Sequence, residues 1–377
     1  MKLKKARLSK QNMFVLGIFL ITIFFVCTPL MTGNCINGHD IEYHLLRIEA
    51  LKEGILMGKP FLKINVLFFG GQGYASSLFY PDFLLYIPAV LRALGVGINA
   101  CYHIFIAFCL IATYASAFYC TKKITGSVYS ASAAAVILTL SQYHVDDIYT
   151  RSAAGEYTAF IFLPFVVFGL YELVNAKIEH PAMMGIGMAG VLLCHTTTTV
   201  FCIGLYLTAF LFSFSKYWKQ RKELLKLCVT AIFVAVLTSF YWVPILEQFM
   251  SASFHSGDNY FDLAYGMLQV REIFRNVNPG MGIVPFLSLL PGLFVRHEKT
   301  GVVRFADICT AFGILFTLGA TNLFPWARVQ IILGFVQFPW RLFIMSCVLL
   351  SVSASIYMEE FVKLILSEIQ TFSARNG

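Results

Sequence analysis

Residues 13–31 read MFVLGIFLITIFFVCTPLM, a run of nineteen residues that contains no charged side chain. A helix needs about 20 apolar residues to cross the hydrocarbon core of a bilayer. Similar runs recur to the end of the chain, in which 58% of the residues are hydrophobic and 13% are charged. This composition excludes a soluble domain and predicts an all-α, polytopic membrane protein with about ten transmembrane helices.

The basic residues ahead of the first run give it a superficial likeness to a signal peptide. The apolar stretch is too long for a typical signal sequence, and no cleavage site of small residues follows it. We therefore predict a retained first helix. The basic residues concerned are Lys2, Lys4, Lys5, Arg7 and Lys10.

The distribution of charge predicts the orientation of the chain in the membrane. If both termini lie in the cytoplasm, 18 of the 28 Lys and Arg residues fall on that side, which then carries a net charge of +10 against −2 outside. Excess Lys and Arg mark cytoplasmic loops. The net charge of +8 is thus explained by membrane orientation, without nucleic-acid binding.

The stretch GHDIEYHLLR, residues 38–47 in the first loop, is unusually rich in ionisable groups. In a helix, Asp40, His44 and Arg47 fall at i, i+4 and i+7 and share one face. An apolar face beside them predicts an amphipathic helix along the membrane surface. These three side chains suit acid–base chemistry on a charged, lipid-borne substrate, with His39 as a weaker candidate. The alternative is an interfacial helix whose charges face water.

The first extracytoplasmic loop is predicted to cover about residues 32–96. Its glycines at 70, 71 and 73 lack the GxxxxGK[ST] pattern of a phosphate cradle, so a flexible turn is favoured. Pro81 to Leu94 predicts a second surface helix that ends at Gly95. No repeat or linker divides the chain, which we interpret as a single integral-membrane domain, residues 1–377.

A second polar cluster follows the third predicted helix, which covers about residues 127–143. Adjacent carboxylates near an arginine could hold a divalent cation or a phosphate. The alternative is a loop in which the charges neutralise one another and the glutamate caps the helix predicted for about 156–175. The cluster consists of Asp146, Asp147, Arg151 and Glu156.

Three further positions, later in the chain, are candidates for functional residues. His195, a weak candidate, lies in a predicted span of about 182–200. A lone histidine there is more often a hydrogen-bonded packing residue than a ligand, although ionisable groups at that depth favour a functional role. Glu247 follows an aromatic belt at the end of another span. Arg341, beside Trp340 at the outer entry of the last helix, could bind a phosphate through two N–H groups, or it could simply extend to the interface.

The ten cysteines form no CxxC pair and mostly lie inside apolar runs. Cys35 alone is well placed outside the membrane, and it has no evident partner. We therefore predict neither a disulfide framework nor a zinc site.

Several motifs together resemble one family of bacterial membrane proteins, those described as 6-pyruvoyl-tetrahydropterin synthase-related, which are relatives of the YfhO-like proteins. The resemblance covers most of the chain. The motifs are Gly38-His39-Asp40-x-x-x-His44-x-x-Arg47, Gly54…Gly58-x-Pro60, Phe79-Tyr80-Pro81, Asp147-x-Tyr149-x-Arg151-x-x-x-Gly155-Glu156, Tyr241-Trp242-x-Pro244 and Phe338-Pro339-Trp340-Arg341.

Such proteins look like members of the GT-C glycosyltransferase superfamily, which implies a polyprenyl-phosphate-linked sugar as donor and a location in the bacterial cell (plasma) membrane. The resemblance implies that Asp40 is the acidic residue of the first loop and that Asp146 or Asp147 is the second acidic site. Arg341, with Trp340, would bind the lipid phosphate. Relatives usually continue beyond the end of this chain, which leaves acceptor recognition open.

The chemistry implied is transfer of the sugar to an extracytoplasmic acceptor, with a carboxylate as base. A transporter or flippase for a lipid-linked or anionic solute is one alternative, and a non-catalytic assembly factor with the same fold is another. No cofactor follows from the residues. A divalent cation, Mg²⁺ or Mn²⁺, stays open, with Asp40 and Asp147 as its ligands if one is present.

Overall fold

The computed structural model describes residues 9–33, 37–252, 262–275, 279–295 and 300–376. Cys35 and the basic residues before position 9 therefore lie outside the described residues. Within them the only strand-like pairings are two isolated bridges, Asn65 with Tyr74 and Leu268 with Thr321. The α-helices, in chain order, are α1 Lys10–Cys27, α2 Ile41–Leu56, α3 Ser76–Phe79, α4 Tyr86–Ala93, α5 Ile98–Thr125, α6 Val128–Thr139, α7 Gln142–Tyr149, α8 Ala154–Ala159, α9 Leu163–Asn175, α10 Pro181–Leu192, α11 Thr196–Lys219, α12 Arg221–Leu237, α13 Ser239–Ser251, α14 Val284–Leu287, α15 Gly301–Gly319, α16 Trp326–Leu333 and α17 Phe343–Asn376.

The all-α, polytopic prediction is confirmed. In the described part of the chain, five helical segments are long and apolar enough to cross a membrane, and a sixth is added if α12 and α13, which meet at 71°, form one broken span. Other predicted spans fall on shorter apolar helices such as α6, α9 and α10. The five long segments are Lys10–Thr32, Ile98–Thr125, Thr196–Lys219, Gly301–Gly319 and Pro339–Ala374.

The predicted span of about 182–200 is wrong in its bounds. Helix α10 ends at Leu192, and α11 then runs without interruption from Thr196 to Lys219. His195 sits between them with extended backbone, φ −149° and ψ 109°. The Thr199 N–H and hydroxyl both donate to the His195 carbonyl, at 3.1 and 3.0 Å, so His195 is the N-cap residue from which α11 begins.

Two other predicted helices are also broken. The segment of about 127–143 divides between α6 and α7, because Ser141 adopts extended backbone at the start of α7. The segment of about 156–175 divides between α8 and α9, where Pro164 occupies the first turn of α9. Proline lacks the N–H that a continuing helix would need and is favoured in a first turn.

Helix α17 forms the centre of the bundle. Its residues 343–357 are all buried, and α15 and α6 pack along it. Helix α1 is the opposite case, since only Thr22 and Val26 are buried, and it leaves Phe25 70% exposed. One side of α1 packs on α5 and α6, and an apolar helix that is exposed on its other side is typical of contact with lipid.

The connection between α1 and α5 packs against the bundle as a unit. The apolar face of α2, which includes Ile48 and Leu51, joins a buried cluster with Leu85, Ala89 and residues of α5. Arg92 of α4 also pairs with Glu49 of α2 at 2.5 Å. The apolar face of α2 is therefore covered by the protein, which fixes the start of this helix.

Candidate active site

The start of α2 is joined to the turn between α7 and α8 by main-chain hydrogen bonds. The His39 N–H donates to the Thr150 carbonyl at 3.1 Å, and the Asp40 N–H donates to the Arg151 carbonyl at 2.9 Å. Gly38 lies so close to this turn that a Cβ at position 38 would stand 2.6 Å from the Cβ of Ser152. Two charged stretches more than 100 residues apart therefore meet here.

Asp40 is the accessible carboxylate at this junction. It occupies the N-cap position of α2 with no side-chain capping bond, and it is exposed. Partial burial raises the pKa of its carboxyl, the charge of Arg151 opposes this, and Glu156, Arg341 and His39 contribute less. Among the described residues no group hydrogen-bonds to this carboxylate. Asp40 can therefore accept a proton at an open surface.

Glu156 is the centre of the buried network behind Asp40. One carboxylate oxygen accepts from Arg151 Nη2 at 2.8 Å and from Arg341 Nε at 3.2 Å, and the other accepts from the Tyr143 hydroxyl at 2.5 Å. Burial opposes ionisation of Glu156, but the charges of Arg151 and then Arg341 hold its pKa well below its usual range. Glu156 is thus a buried anion that positions two guanidinium groups.

Asp147 pairs with the same arginine from the other side. Arg151 Nη1 donates to one oxygen of this fully buried carboxyl, and within the described residues the second oxygen has no partner. Burial, followed by the Glu156 charge, raises the pKa of Asp147 well above its usual range. Burial and the Glu156 charge thus disfavour the charged form of Asp147, while its contact with Arg151 favours it.

Arg341 connects the network to the membrane side of the site. Its Nη1 donates to the Val336 carbonyl at 3.1 Å and to Gln337 Oε1 at 2.8 Å, and its Nε contacts Glu156. In the described part of the chain no hydrogen bond uses its Nη2. The guanidinium also lies over the Phe338 ring, 5.3 Å from the centroid. One edge of Arg341 therefore stays available for an anion.

Trp340 stacks on Phe338 next to this arginine, with centroids 4.6 Å apart and planes 9° from parallel. Its indole N–H is buried and has no partner among the described residues. An unpaired buried donor is costly unless a ligand satisfies it.

An apolar groove of about 510 Å³ opens between α11, α15 and α16. Val336 and Leu342, which flank Arg341 in the chain, belong to its lining. Phe201, Phe316 and Leu333 are among the other lining residues. Arg341 is therefore in contact with a lining residue, through the Val336 carbonyl, of a groove that suits a hydrocarbon chain.

The structure separates Arg47 and His44 from Asp40. Arg47 is fully buried and donates to Asp82 at 2.5 Å and to the Pro81 carbonyl at 2.7 Å, while its guanidinium covers the Tyr80 ring at 4.5 Å. His44 is buried against Arg47, and burial followed by the Arg47 charge lowers its pKa well below its usual range. Both side chains hold α2 in place behind the exposed Asp40.

The other predicted residues occupy distinct places. Asp146 is hydrogen-bonded by Gln142 and by the Gly280 backbone, beside the Arg151 network. His195 is buried, its Nδ1 lies 2.7 Å from the Thr198 hydroxyl, and the charges of Glu156 and Arg341 reach it. His39 is exposed next to Asp40, and Glu247 is exposed on α13, apart from these contacts.

The sequence left undecided whether Asp40 and Asp147 bind a divalent cation. Among the described residues no three His, Cys, Asp or Glu side chains are grouped so that they could hold a metal ion. Asp147 is committed to Arg151, and Asp40 stands alone at the surface. The donor set does not fit Mg²⁺ or Mn²⁺, which need several oxygen ligands.

Sequence reasoning missed Tyr80, Asp82 and Tyr143 as members of this region. A Cβ on Gly155 would lie 2.5 Å from the Tyr80 hydroxyl, so this hydroxyl reaches the residue next to Glu156. Within the described residues the Tyr80 hydroxyl makes no hydrogen bond. The Phe79-Tyr80-Pro81 motif was the available signal, but no spacing rule links it to residue 155.

Comparison with known proteins gives a family and a fold. Residues 78–265, about half of the chain, match the family model described as the 6-pyruvoyl-tetrahydropterin synthase related domain, a membrane protein. An uncharacterized protein of Lactococcus lactis subsp. cremoris (strain MG1363) is 24% identical over 343 residues, covering 84% of this chain and 55% of that relative. The chain thus spans little more than half the length of this relative.

Among solved structures, ArnT from Cupriavidus metallidurans bound to undecaprenyl phosphate gives a TM-score of 0.57 at 13% identity, covering 93% of this chain and 61% of ArnT. The archaeal oligosaccharyltransferase AglB from Archaeoglobus fulgidus, in complex with an inhibitory peptide and a dolichol-phosphate, gives 0.45 at 10% identity, covering 96% of this chain and 51% of AglB. The similarity to ArnT confirms the predicted GT-C-like fold.

Proposed function

We propose that this chain, which belongs over residues 78–265 to the 6-pyruvoyl-tetrahydropterin synthase related family of membrane proteins, is a membrane glycosyltransferase. Its donor would be a sugar linked to a polyprenyl phosphate, and its acceptor would lie on the extracytoplasmic side. ArnT, which shares the fold, was solved with undecaprenyl phosphate bound, and this supports the class of donor lipid.

The observation that carries the proposal is the placement of Arg341. Its Nη1 contacts the carbonyl of Val336, which lines an apolar groove of about 510 Å³, and its Nε contacts the buried Glu156. The charges of Arg341 and Arg151 also act on Asp40. A polyprenyl phosphate has the matching parts, a long hydrocarbon chain and a terminal anion. A guanidinium edge is a strong partner for a phosphate.

In the proposed reaction Asp40 is the base. As an acceptor hydroxyl or amide attacks the anomeric carbon, its proton passes to the Asp40 carboxylate and a new bond forms to that carbon. A base within hydrogen-bond reach typically contributes 10²- to 10⁴-fold to the rate. The raised pKa makes Asp40 a stronger base than an ordinary aspartate.

The bond between the anomeric carbon and the phosphate oxygen breaks in the same step, and its electron pair leaves on the lipid phosphate. Arg341 stabilises this charge through its free Nη2 edge. Glu156 prevents the arginine from leaving this position, because the ion pair is buried and its loss would strand a charge. A single displacement of this kind inverts the sugar and needs one base.

The test is complementation of a bacterial strain that lacks the gene, with envelope glycans measured by mass spectrometry. We expect Asp40→Asn to reduce the glycan product about 100-fold or more, while Glu247→Gln, a charge change outside the site, has no effect. Normal product from Asp40→Asn that inserts at the wild-type level would contradict the proposal.

A binding measurement on the purified protein separates the two roles. Undecaprenyl phosphate is the probe, because it lacks the sugar and tests the lipid site alone. Asp40→Asn should bind it as tightly as the wild type, whereas Arg341→Lys, which keeps the charge but loses the planar guanidinium, should bind it about tenfold more weakly. Equal binding by Arg341→Lys would count against the assigned phosphate contact.

A transporter or flippase of a lipid-linked solute is the second candidate. It is favoured by the broken helices, since α10 stops at Leu192 and the buried His195 stands at the break before α11. Such breaks with polar groups are typical of transport sites. If the protein is a flippase, its Asp40→Asn variant should still move a fluorescent lipid-linked sugar across the membrane of vesicles. If the protein is the proposed transferase, neither the wild type nor this variant should do so.

A further inference from the structure

A hairpin of residues 61–74 projects from the C-terminal end of α2. Asn65 and Tyr74 form a bridge with hydrogen bonds of 2.8 and 3.0 Å in both directions. The buried Asn65 side chain also donates to the Ser76 hydroxyl and, at 3.3 Å, to that of Ser77. These bonds fix the base of the hairpin, so its outer part is held in a defined position.

The outer part of the hairpin is apolar and open. Ile64 and Val66 stand on either side of the buried Asn65, and both of their side chains are exposed. Phe69 and Tyr74 pack edge to face with centroids 5.6 Å apart. The exposed fractions are 82% for Phe61, 58% for Ile64, 51% for Val66, 67% for Phe69 and 46% for Tyr74.

The tip is also strained in a way that displays an aromatic ring. Phe69 has φ 53° in the left-handed region, and Gly70 and Gly71 follow with φ 66° and 97°. Left-handed backbone costs a bulky residue about 1–2 kcal/mol, and such strain is usually associated with function. Here it holds a two-thirds exposed ring at the end of a projecting loop.

The charge of this region has one sign. Between positions 54 and 81 the sequence contains Lys59 and Lys63 and neither Asp nor Glu. Both lysines are exposed at the foot of the hairpin. Surface segments that bind anionic bilayers combine apolar residues that insert into the bilayer with basic residues that contact the headgroups. The apolar tip and the two lysines at its foot have this arrangement.

We propose that residues 61–74 anchor the protein in the lipid leaflet on their side of the membrane. The tip residues Phe69 and Tyr74 insert among the acyl chains, and Lys59 and Lys63 bind anionic headgroups. Lipid is favoured over a protein partner because the connection that carries the hairpin begins and ends at the candidate spans α1 and α5, which keeps it next to the bilayer. This anchor would fix the height of α2, and with it Asp40, above the membrane.

The first experiment uses a photoreactive phenylalanine analogue in place of Phe69 in the intact protein. After illumination of membranes from expressing cells, the purified protein is weighed by mass spectrometry. We expect a lipid adduct at position 69 and none when the analogue replaces Glu42, which is exposed on the first turn of α2. A protein adduct at position 69, or no adduct there, would overturn the proposal.

The second experiment tests the headgroup contact in vesicles of equal parts phosphatidylglycerol and phosphatidylcholine. With the wild-type lysines, adducts at position 69 should favour phosphatidylglycerol several-fold. In the double variant Lys59→Gln and Lys63→Gln this preference should fall to none, while adduct formation persists because the apolar tip is unchanged. An undiminished preference for phosphatidylglycerol in the double variant would refute the role of the lysines. The adducts are measured without any catalytic assay, so this result does not depend on the proposed function.

Discussion

Asp40 has two properties at the residue scale that a general base requires, an open carboxylate and a raised pKa. Partial burial is the main cause of the raised pKa, and the charge of Arg151 limits it. A base acts only when deprotonated, so transfer activity should fall as the pH drops through this pKa, above the ~3.9 of an ordinary aspartate. A profile of kcat/KM against pH measures the acid limb.

The control for this profile is Asp40→Glu, which keeps a carboxylate at the same place. Its residual activity should retain an acid limb, whereas any residual activity of Asp40→Asn should be independent of pH on that side. An acid limb that survives unchanged in Asp40→Asn would assign the titration to another group.

Tyr80 allows binding to be separated from stability. Because its hydroxyl makes no hydrogen bond within the described chain, Tyr80→Phe should leave the free energy of unfolding within ~0.5 kcal/mol of the wild type. If the hydroxyl contacts the donor phosphate, undecaprenyl phosphate should bind about tenfold more weakly, the value of a hydrogen bond to a charged group. Titration of the purified protein with this lipid measures the change.

Tyr86→Phe is the matched control, because the Tyr86 hydroxyl donates to the Pro60 carbonyl at 2.6 Å, away from Arg341. It should lower stability without weakening lipid binding. Wild-type affinity in Tyr80→Phe would exclude contact between this hydroxyl and the phosphate.

Asp146 should make stability depend on pH. Burial raises its pKa to about 6, although hydrogen bonds from Gln142 and Gly280 and the charge of Arg151 oppose the shift. The folded state therefore holds a proton that the unfolded state releases near pH ~3.9, and stability should decline as the pH rises from there through about 6. Asp146→Asn should remove this component from thermal unfolding curves. Identical pH dependence in both proteins would contradict the prediction.

At the element scale, the contact between residues 38–40 and 150–152 decides where Asp40 lies. Gly38→Ala should force the two segments apart, because the new Cβ would stand 2.6 Å from the Ser152 Cβ. Overpacking of this kind costs about 1–3 kcal/mol. We expect a lower unfolding temperature together with a loss of transfer activity, since Asp40 would move away from Arg151.

Ser152→Gly provides the rescue for this variant. It removes the colliding side chain, and it suits the φ of 53° that Ser152 adopts. The double variant should recover most of the stability and activity lost in Gly38→Ala. Gly97→Ala is the control, because its Cβ would meet nothing within 4 Å. Failure of the rescue would show that this contact does not position Asp40.

For the molecule as a whole, the sequence could predict those features that depend on local composition and spacing. Apolar runs and composition predicted the helical membrane fold, because transfer from water to lipid depends on local composition. The helix that carries His44 and Arg47, with Asp40 at its N-cap, was predicted from their spacing. Spacing alone cannot say what covers a helix face, and so the burial of Arg47 against Asp82 was not foreseen.

The broken helices were missed for a related reason. Hydropathy averages over a window, whereas the break before α11 depends on the backbone of a single residue, His195, which is extended between the two helices. The meeting of Glu156 with Arg341 joins residues 185 positions apart. Only the resemblance to a family suggested that such distant motifs act together.

The basic turns bear on the predicted orientation of the whole molecule in the membrane. Lys216 donates to the Val174 carbonyl and Lys226 to the Ile178 carbonyl, so the turns after α9 and α11 lie at one end of the bundle. Lys177 adds to the same basic end, and Lys and Arg mark the cytoplasmic side. The predicted orientation therefore places the turn between α11 and α12 inside and the hairpin of residues 61–74 outside.

Thiol labelling of intact cells tests this orientation. Cysteine replaces Gln220, which is exposed between α11 and α12, or Gln72, which is exposed in the hairpin. The parent protein carries Cys35→Ser, because Cys35 is predicted outside the membrane, and Cys228→Ser, because Cys228 is exposed. A membrane-impermeant reagent should label only the Gln72→Cys protein in intact cells and both proteins after permeabilisation, measured against the parent. Labelling of Gln220→Cys from outside would reverse the orientation and place Asp40 on the cytoplasmic side, where an extracytoplasmic acceptor could not reach it.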